Sequence, residues 1–73
     1  MQTIAFTLEG DFVELHQLLK LCGLVDSGGA GKALVSSGAV QVDGEVEMRR
    51  TCKIRAGQTV DAGGVRIVVV AQP

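Results

Sequence analysis

Two short stretches of this chain carry the residue types that could engage an anion. Arg49-Arg50-Thr51-Cys52-Lys53-Ile54-Arg55 holds four cations in seven residues and no acid, although acids outnumber bases over the whole sequence. Ser27-Gly28-Gly29-Ala30-Gly31-Lys32 sets a helix-capping hydroxyl ahead of two glycines, with Lys32 about one turn further along. Glycines in a first turn leave backbone N–H groups uncovered at the positive end of the helix dipole, a ready phosphate site. The same glycines would also serve a tight entry between packed helices, and the sequence leaves both readings open. The stretch is not a nucleotide-hydrolase phosphate loop. Counting back from Gly31, the first required glycine is Asp26, and Ala33 replaces the magnesium-binding hydroxyl.

Catalytic chemistry has little to work with. His16 is the single histidine, and helical spacing puts it about 100° round from the nearest apolar stripe, as an exposed or half-exposed residue. Cys22 falls on that stripe and Cys52 at an inward strand position, where thiols act as small core hydrophobes. Two cysteines and one histidine exclude a four-ligand zinc site and a multi-disulfide scaffold. The expectation is a protein that is not an enzyme and needs no metal or cofactor. The longest apolar run, Ile67–Ala71, is five residues, far short of a membrane span. Without a basic leader at Met1–Ala5 the chain reads as cytoplasmic, with free thiols; secretion would instead allow Cys22 and Cys52 to pair.

The 73 residues are enough for one small domain, and 47% hydrophobic against 21% charged is a globular balance. A net charge of −1 gives no global attraction to polyanions, so nucleic-acid binding needs a local basic patch. There is no Trp or Tyr, and Phe6 and Phe12 occupy expected core positions. Stacking modules for single strands are therefore disfavoured, while phosphates held by shape, as in structured or double-stranded RNA, suit the composition.

The elements that must position these residues follow from periodicity. Ile4, Phe6 and Leu8 alternate with Ala5, Thr7 and Glu9 as a half-buried strand. Asp11 with Glu14 three residues on predicts a capping box opening a helix over Phe12–Cys22, with Leu15, Leu18, Leu19 and Cys22 facing the core. Gly23 ends it. Ser27 caps a second helix over Gly28–Ser37, closed by Gly38. Val40 and Val42, Asp43-Gly44, then Val46 and Met48 make a hairpin with a type I′ turn. Continued alternation would send Arg50 inward, so the chain must turn or bulge at Arg49-Arg50. A short strand at Cys52–Ile54, turns at Ala56-Gly57 and Ala62-Gly63-Gly64, and a strand over Val65–Ala71 complete the chain. The Val68-Val69-Val70 run predicts burial on both faces of that last strand. Pairing between copies is open to it if it lies at an edge, unless the N-terminal strand covers it. The architecture expected is α+β: two helices on a small, mostly antiparallel sheet.

The run from Val13 to Val60 resembles the S4-type RNA-binding domain, the αL motif. The matching parts are the Leu-rich first helix, the Ser27-initiated second helix, the hairpin Gly38-Ala39-Val40-Gln41-Val42-Asp43-Gly44, and Lys53-Ile54 followed by Gly57. It is similar in particular to the short stand-alone bacterial YbcJ-like proteins. These have Gly-Gly-x-x-Lys on the second helix, matched by Gly28, Gly29 and Lys32, and Glu-x-Arg-Arg-x-x-Lys, matched by Glu47, Arg49, Arg50 and Lys53. Asp43 stands where that hairpin usually has Asn, and Gln58 where Asp is common.

The resemblance implies an S4-like domain over 1–73, its motif at about 13–60, and an RNA surface at Ser27, Gly28, Gly29, Lys32, Arg49, Arg50 and Lys53. Arg55, on the same strand face as Lys53, joins them from the strand pattern. The reading is a monomer that grips the phosphates of structured RNA, with rRNA and tRNA as candidates. The alternative is a protein-interaction adaptor in ribosome assembly or RNA processing with weak RNA contact, suggested by the net charge and by Asp43, Glu45 and Glu47.

Overall fold

The computed structural model describes all 73 residues. Its elements are β1 (Gln2–Leu8), β2 (Val13–Glu14), α1 (Leu15–Leu21), α2 (Gly28–Ser36), β3 (Val40–Val42), β4 (Glu45–Val46), β5 (Lys53–Ile54), β6 (Thr59–Ala62) and β7 (Val65–Ala71). Five strands form a sheet in the order β1-β7-β6-β3-β4, and β2 pairs with β5 in a separate two-stranded ribbon. All pairs are antiparallel except β1 with β7. A parallel pair needs a long crossover, and here the whole body of the chain supplies it.

Alternation within the strands determines which face is covered. Val60 and Ala62 of β6 and Ile67 and Val69 of β7 are buried, as are Leu15, Leu18 and Leu19 of α1, Val35 of α2 and Ile54 of β5. The valine run of β7 is not buried on both faces, as its sequence suggested. Val68 is half-buried and Val70 exposed, because the helices cover one side of the sheet and leave the other open. β7 is also not an edge, since β1 pairs along its full length.

Both helix ends follow local rules. Gly23 has φ +78°; its N–H donates to Lys20 O, and the Leu24 N–H donates to Leu19 O, a Schellman closure. Gly38 at φ +83° closes α2 after Ser37. Asp43 and Gly44 have φ +51° and +86°, the positive pair that a type I′ turn demands.

The start of α1 departs from expectation. Asp11 caps nothing; the N-cap is Glu14, without a side-chain hydrogen bond, and the helix opens at Leu15. Val13 and Glu14 are instead extended and paired with Ile54 and Lys53. The first helical amides are satisfied from a distance: Leu15 N–H donates to Cys52 O (2.9 Å) and His16 N–H to Arg50 O (3.1 Å). Extending Phe12 off the helix also moves it out of the core, leaving it 39% exposed. The β3–β4 hairpin differs as well. β4 ends at Val46, and Val46 and Met48 face solvent rather than the core. The expected break at Arg49-Arg50 is present, with a turn at Arg50–Thr51 and the Cys52 N–H donating to Arg49 O at 3.1 Å.

Candidate nucleic-acid interface

Ser27 builds the front of α2. Its backbone is extended (φ −149°, ψ 163°), its Oγ accepts from Ala30 N–H at 3.1 Å, and its carbonyl accepts from Gly31 N–H at 3.0 Å. The amides of Gly28 and Gly29 precede the first intrahelical bond and have no backbone partner within the helix. The glycines of this turn have different reasons to be glycine. A Cβ on Gly31 would lie 2.6 Å from the carbonyl oxygen of His16, so Gly31 is where the two helices touch. A Cβ on Gly28 would meet nothing within 4 Å, and one on Gly29 only Ser27 Oγ at 3.9 Å. Packing therefore demands Gly31 but not Gly28 or Gly29.

His16 is the hinge of the arrangement, and it is buried (6% exposed) rather than exposed as its spacing suggested. Its Nδ1 lies 2.8 Å from Arg50 O, the same carbonyl that caps the α1 backbone, so Nδ1 carries the hydrogen that is donated. Its own carbonyl meets Gly31. One residue thus ties the basic loop, α1 and α2 together. It also lines a cleft of about 330 Å³ with Gln17, Lys20, Gly28, Gly29 and Lys32. Lys20, which belongs to neither basic stretch of the sequence, faces this cleft from α1; only the helix–helix contact brings it opposite Lys32.

The cations of the loop differ in their freedom. Arg49 is held by Glu47: Nη2 donates to Oε1 at 2.9 Å and Nε to Oε2 at 3.1 Å, and the Arg49 backbone N–H also donates to Oε2 at 3.0 Å. These hydrogen bonds hold the Glu47 carboxyl down at about 2, from an ordinary 4.5. Arg49 therefore presents a guanidinium already neutralised in part. Arg50, Lys53, Lys32 and Lys20 make no ion pair, and the Arg55 guanidinium donates only to the Asp11 carbonyl, at 3.3 Å. Arg66, the remaining cation, is paired with Asp61 at 2.8 Å on the outer face of the sheet. Thus all five unpaired cations lie on the helices or on the 49–55 segment.

Asp43 is occupied structurally. Its Oδ1 accepts from Thr59 N–H at 2.9 Å and its Oδ2 from Gln58 Nε2 at 3.3 Å, so the two positions that depart from the usual hairpin pattern contact each other. Both cysteines are free and half-buried. Burial pushes the Cys22 thiol up; burial and then the Glu47 carboxylate do the same for Cys52, so neither is an activated nucleophile. A hollow of about 490 Å³, lined by Ile4, Cys22, Leu24, Leu34 and Val65 among others, contains no cation. No helix is long and apolar enough to cross a membrane.

Known proteins resemble this chain in sequence and in fold. A family model for the S4 domain matches residues 6–70. YbcJ of Escherichia coli (strain K12) is 52% identical over 59 residues, covering 81% of this chain and 84% of that protein. YbcJ of Shigella flexneri matches equally well, at 52% identity over 59 residues. The solution structure of E. coli YbcJ, described as revealing an αL motif involved in RNA-binding, superposes with a TM-score of 0.66 at 45% identity, covering 97% of this chain and 89% of that one. Two helices on a mostly antiparallel sheet, matched in fold and in sequence together, mean that this chain belongs to the S4 domain family.

Proposed function

We propose that this protein is a non-enzymatic RNA-binding module that grips the phosphates of structured RNA. The supporting observation is the anchoring of the basic loop: Arg50 O and Cys52 O cap α1, and through His16 this brings the loop beside the cleft that contains Lys20 and Lys32. Lys32, Arg50 and Lys53 contact phosphates directly, with Lys20 added to them. The Gly28 and Gly29 amides take one further phosphate on the turn that Ser27 organises. Arg49 contributes weakly while Glu47 holds it, and Arg55 lies at the margin beside Asp11. RNA of the ribosomal or transfer class fits a surface that reads shape.

The test is a gel shift with an RNA duplex across a salt series. About four engaged phosphates give log affinity against log salt a slope of order −3. The double variant Lys32→Glu, Arg50→Glu should lose binding while its far-UV circular dichroism is unchanged; unaltered affinity refutes the proposal. The adaptor reading has one observation in its favour, the 55% and 58% exposure of Val46 and Met48 beside Glu45. A partner retained after nuclease treatment and at high salt would favour it.

A further inference from the structure

We infer that Phe12 is a stacking platform for one unpaired nucleobase of the bound RNA, with Lys53 and Arg55 holding the phosphates beside it. The inference rests on the RNA-binding reading above and narrows the ligand to structured RNA that carries an unpaired nucleotide. The geometry comes from the small ribbon. Val13 is opposite Ile54 and Glu14 opposite Lys53, so the antiparallel register puts Phe12 across from Arg55. Alternation turns Val13 and Ile54 toward the core and sends Phe12, Glu14, Lys53 and Arg55 to the outer face.

The ring is 39% exposed, with Lys53 Nζ 4.9 Å and the Arg55 guanidinium carbon 5.7 Å from its centroid. Both cations lie over the ring in cation–π contact, and the bond from Arg55 Nη1 to Asp11 O helps hold that guanidinium there. Glu14, the acid on this face, lies 3.9 Å from His16 Nε2 and pairs with neither cation. Phe6, the other aromatic, is half-buried against the core, so Phe12 is the one exposed aromatic ring of the chain.

A nucleotide satisfies each part of this arrangement. Its phosphates draw the two cations off the ring, and its base then presents a flat π face in their place. Lys53 belongs both to this ribbon and to the phosphate surface near Arg49, so the platform is continuous with the proposed grip. Bases inside a duplex are already stacked on their neighbours, whereas a bulged or terminal one is available.

The protein has no tryptophan, so Phe12→Trp introduces a single fluorescent reporter at the platform. It is titrated with a blunt RNA duplex and with the same duplex carrying one bulged nucleotide. The bulged RNA should quench the emission more strongly. The parent protein should bind the bulged duplex about tenfold more tightly than the paired one. Phe12→Leu, which keeps apolar bulk without a π face, should bind both duplexes equally. Equal parent affinities for the two RNAs, or a Leu variant that keeps the preference, overturn the stacking platform and leave the phosphate grip standing. Binding to neither RNA overturns both.

Discussion

Gly31→Ala places a methyl group 2.6 Å from the His16 carbonyl oxygen, a backbone atom that cannot swing aside. Restoring ordinary contact requires α1 and α2 to separate by about 0.8 Å, across a contact held by Leu15, Leu18, Leu19 and Val35. Overpacking of this kind costs about 1–3 kcal/mol, while the better helix propensity of alanine returns up to about 1 kcal/mol. The net loss is centred on about 1.5 kcal/mol within a span of about 0–3, which in a domain of this size lowers Tm by about 10 °C. Gly29→Ala is the control, because its methyl group would meet only Ser27 Oγ at 3.9 Å; it should be neutral or stabilising. Thermal melts followed by circular dichroism measure both. The same variant reports on the interface, because moving His16 shifts the carbonyl partner of its ring at Arg50, so RNA affinity should fall in Gly31→Ala but not through lost charge. A Gly31→Ala protein that melts at or above the parent temperature refutes the close approach and the role assigned to His16.

Other expectations concern charge and capping. Glu47→Gln should free the Arg49 guanidinium, tighten RNA binding and steepen the salt slope by up to about one unit in a gel-shift series. Because the folded-state Glu47 carboxyl is depressed to about 2 from 4.5, its pairing with Arg49 is fully present above about pH 4.5 and is lost only as the pH falls toward 2. Parent RNA affinity should therefore show no gain from released Arg49 between pH 7 and 5, and a rise there would contradict the pairing. Ser27→Ala removes the side-chain cap of α2 and should lower stability by about 1 kcal/mol in chemical denaturation. Arg66→Gln removes a cation from the outer sheet face, where it is paired with Asp61, and should leave RNA affinity within error of the parent.

Features governed by neighbours in the chain are legible in the sequence alone. The Ser27 cap, the glycine closures at Gly23 and Gly38, the Asp43-Gly44 turn and the break at Arg49-Arg50 all depend on residues within a few positions. The basic segment and the glycine turn stand out for the same reason, since residue type and spacing carry that signal. Features that spacing hides depend on partners far along the chain. Asp11 makes a good local cap, yet carbonyls at Arg50 and Cys52 supply the bonds instead, and the helix starts later. His16 has the spacing of an exposed residue, but the loop that folds over it buries the ring. Val46 and Met48 alternate as core residues do, while nothing in the fold arrives to cover them.

The sequence by itself determined the class of element at most positions, the turns and the two segments bearing positive charge, because backbone preference and side-chain capping are short-range. Only the tertiary structure decided which distant cations come together. Glu47 claims Arg49 through a local bend, whereas Lys20 reaches Lys32 only where Gly31 lets the helices touch. Phe12 likewise became a surface ring only because Ile54 drew Val13 into the core and alternation turned its neighbour outward. Electrostatic and packing partners are set by distance in space, and spacing along the chain does not encode that distance.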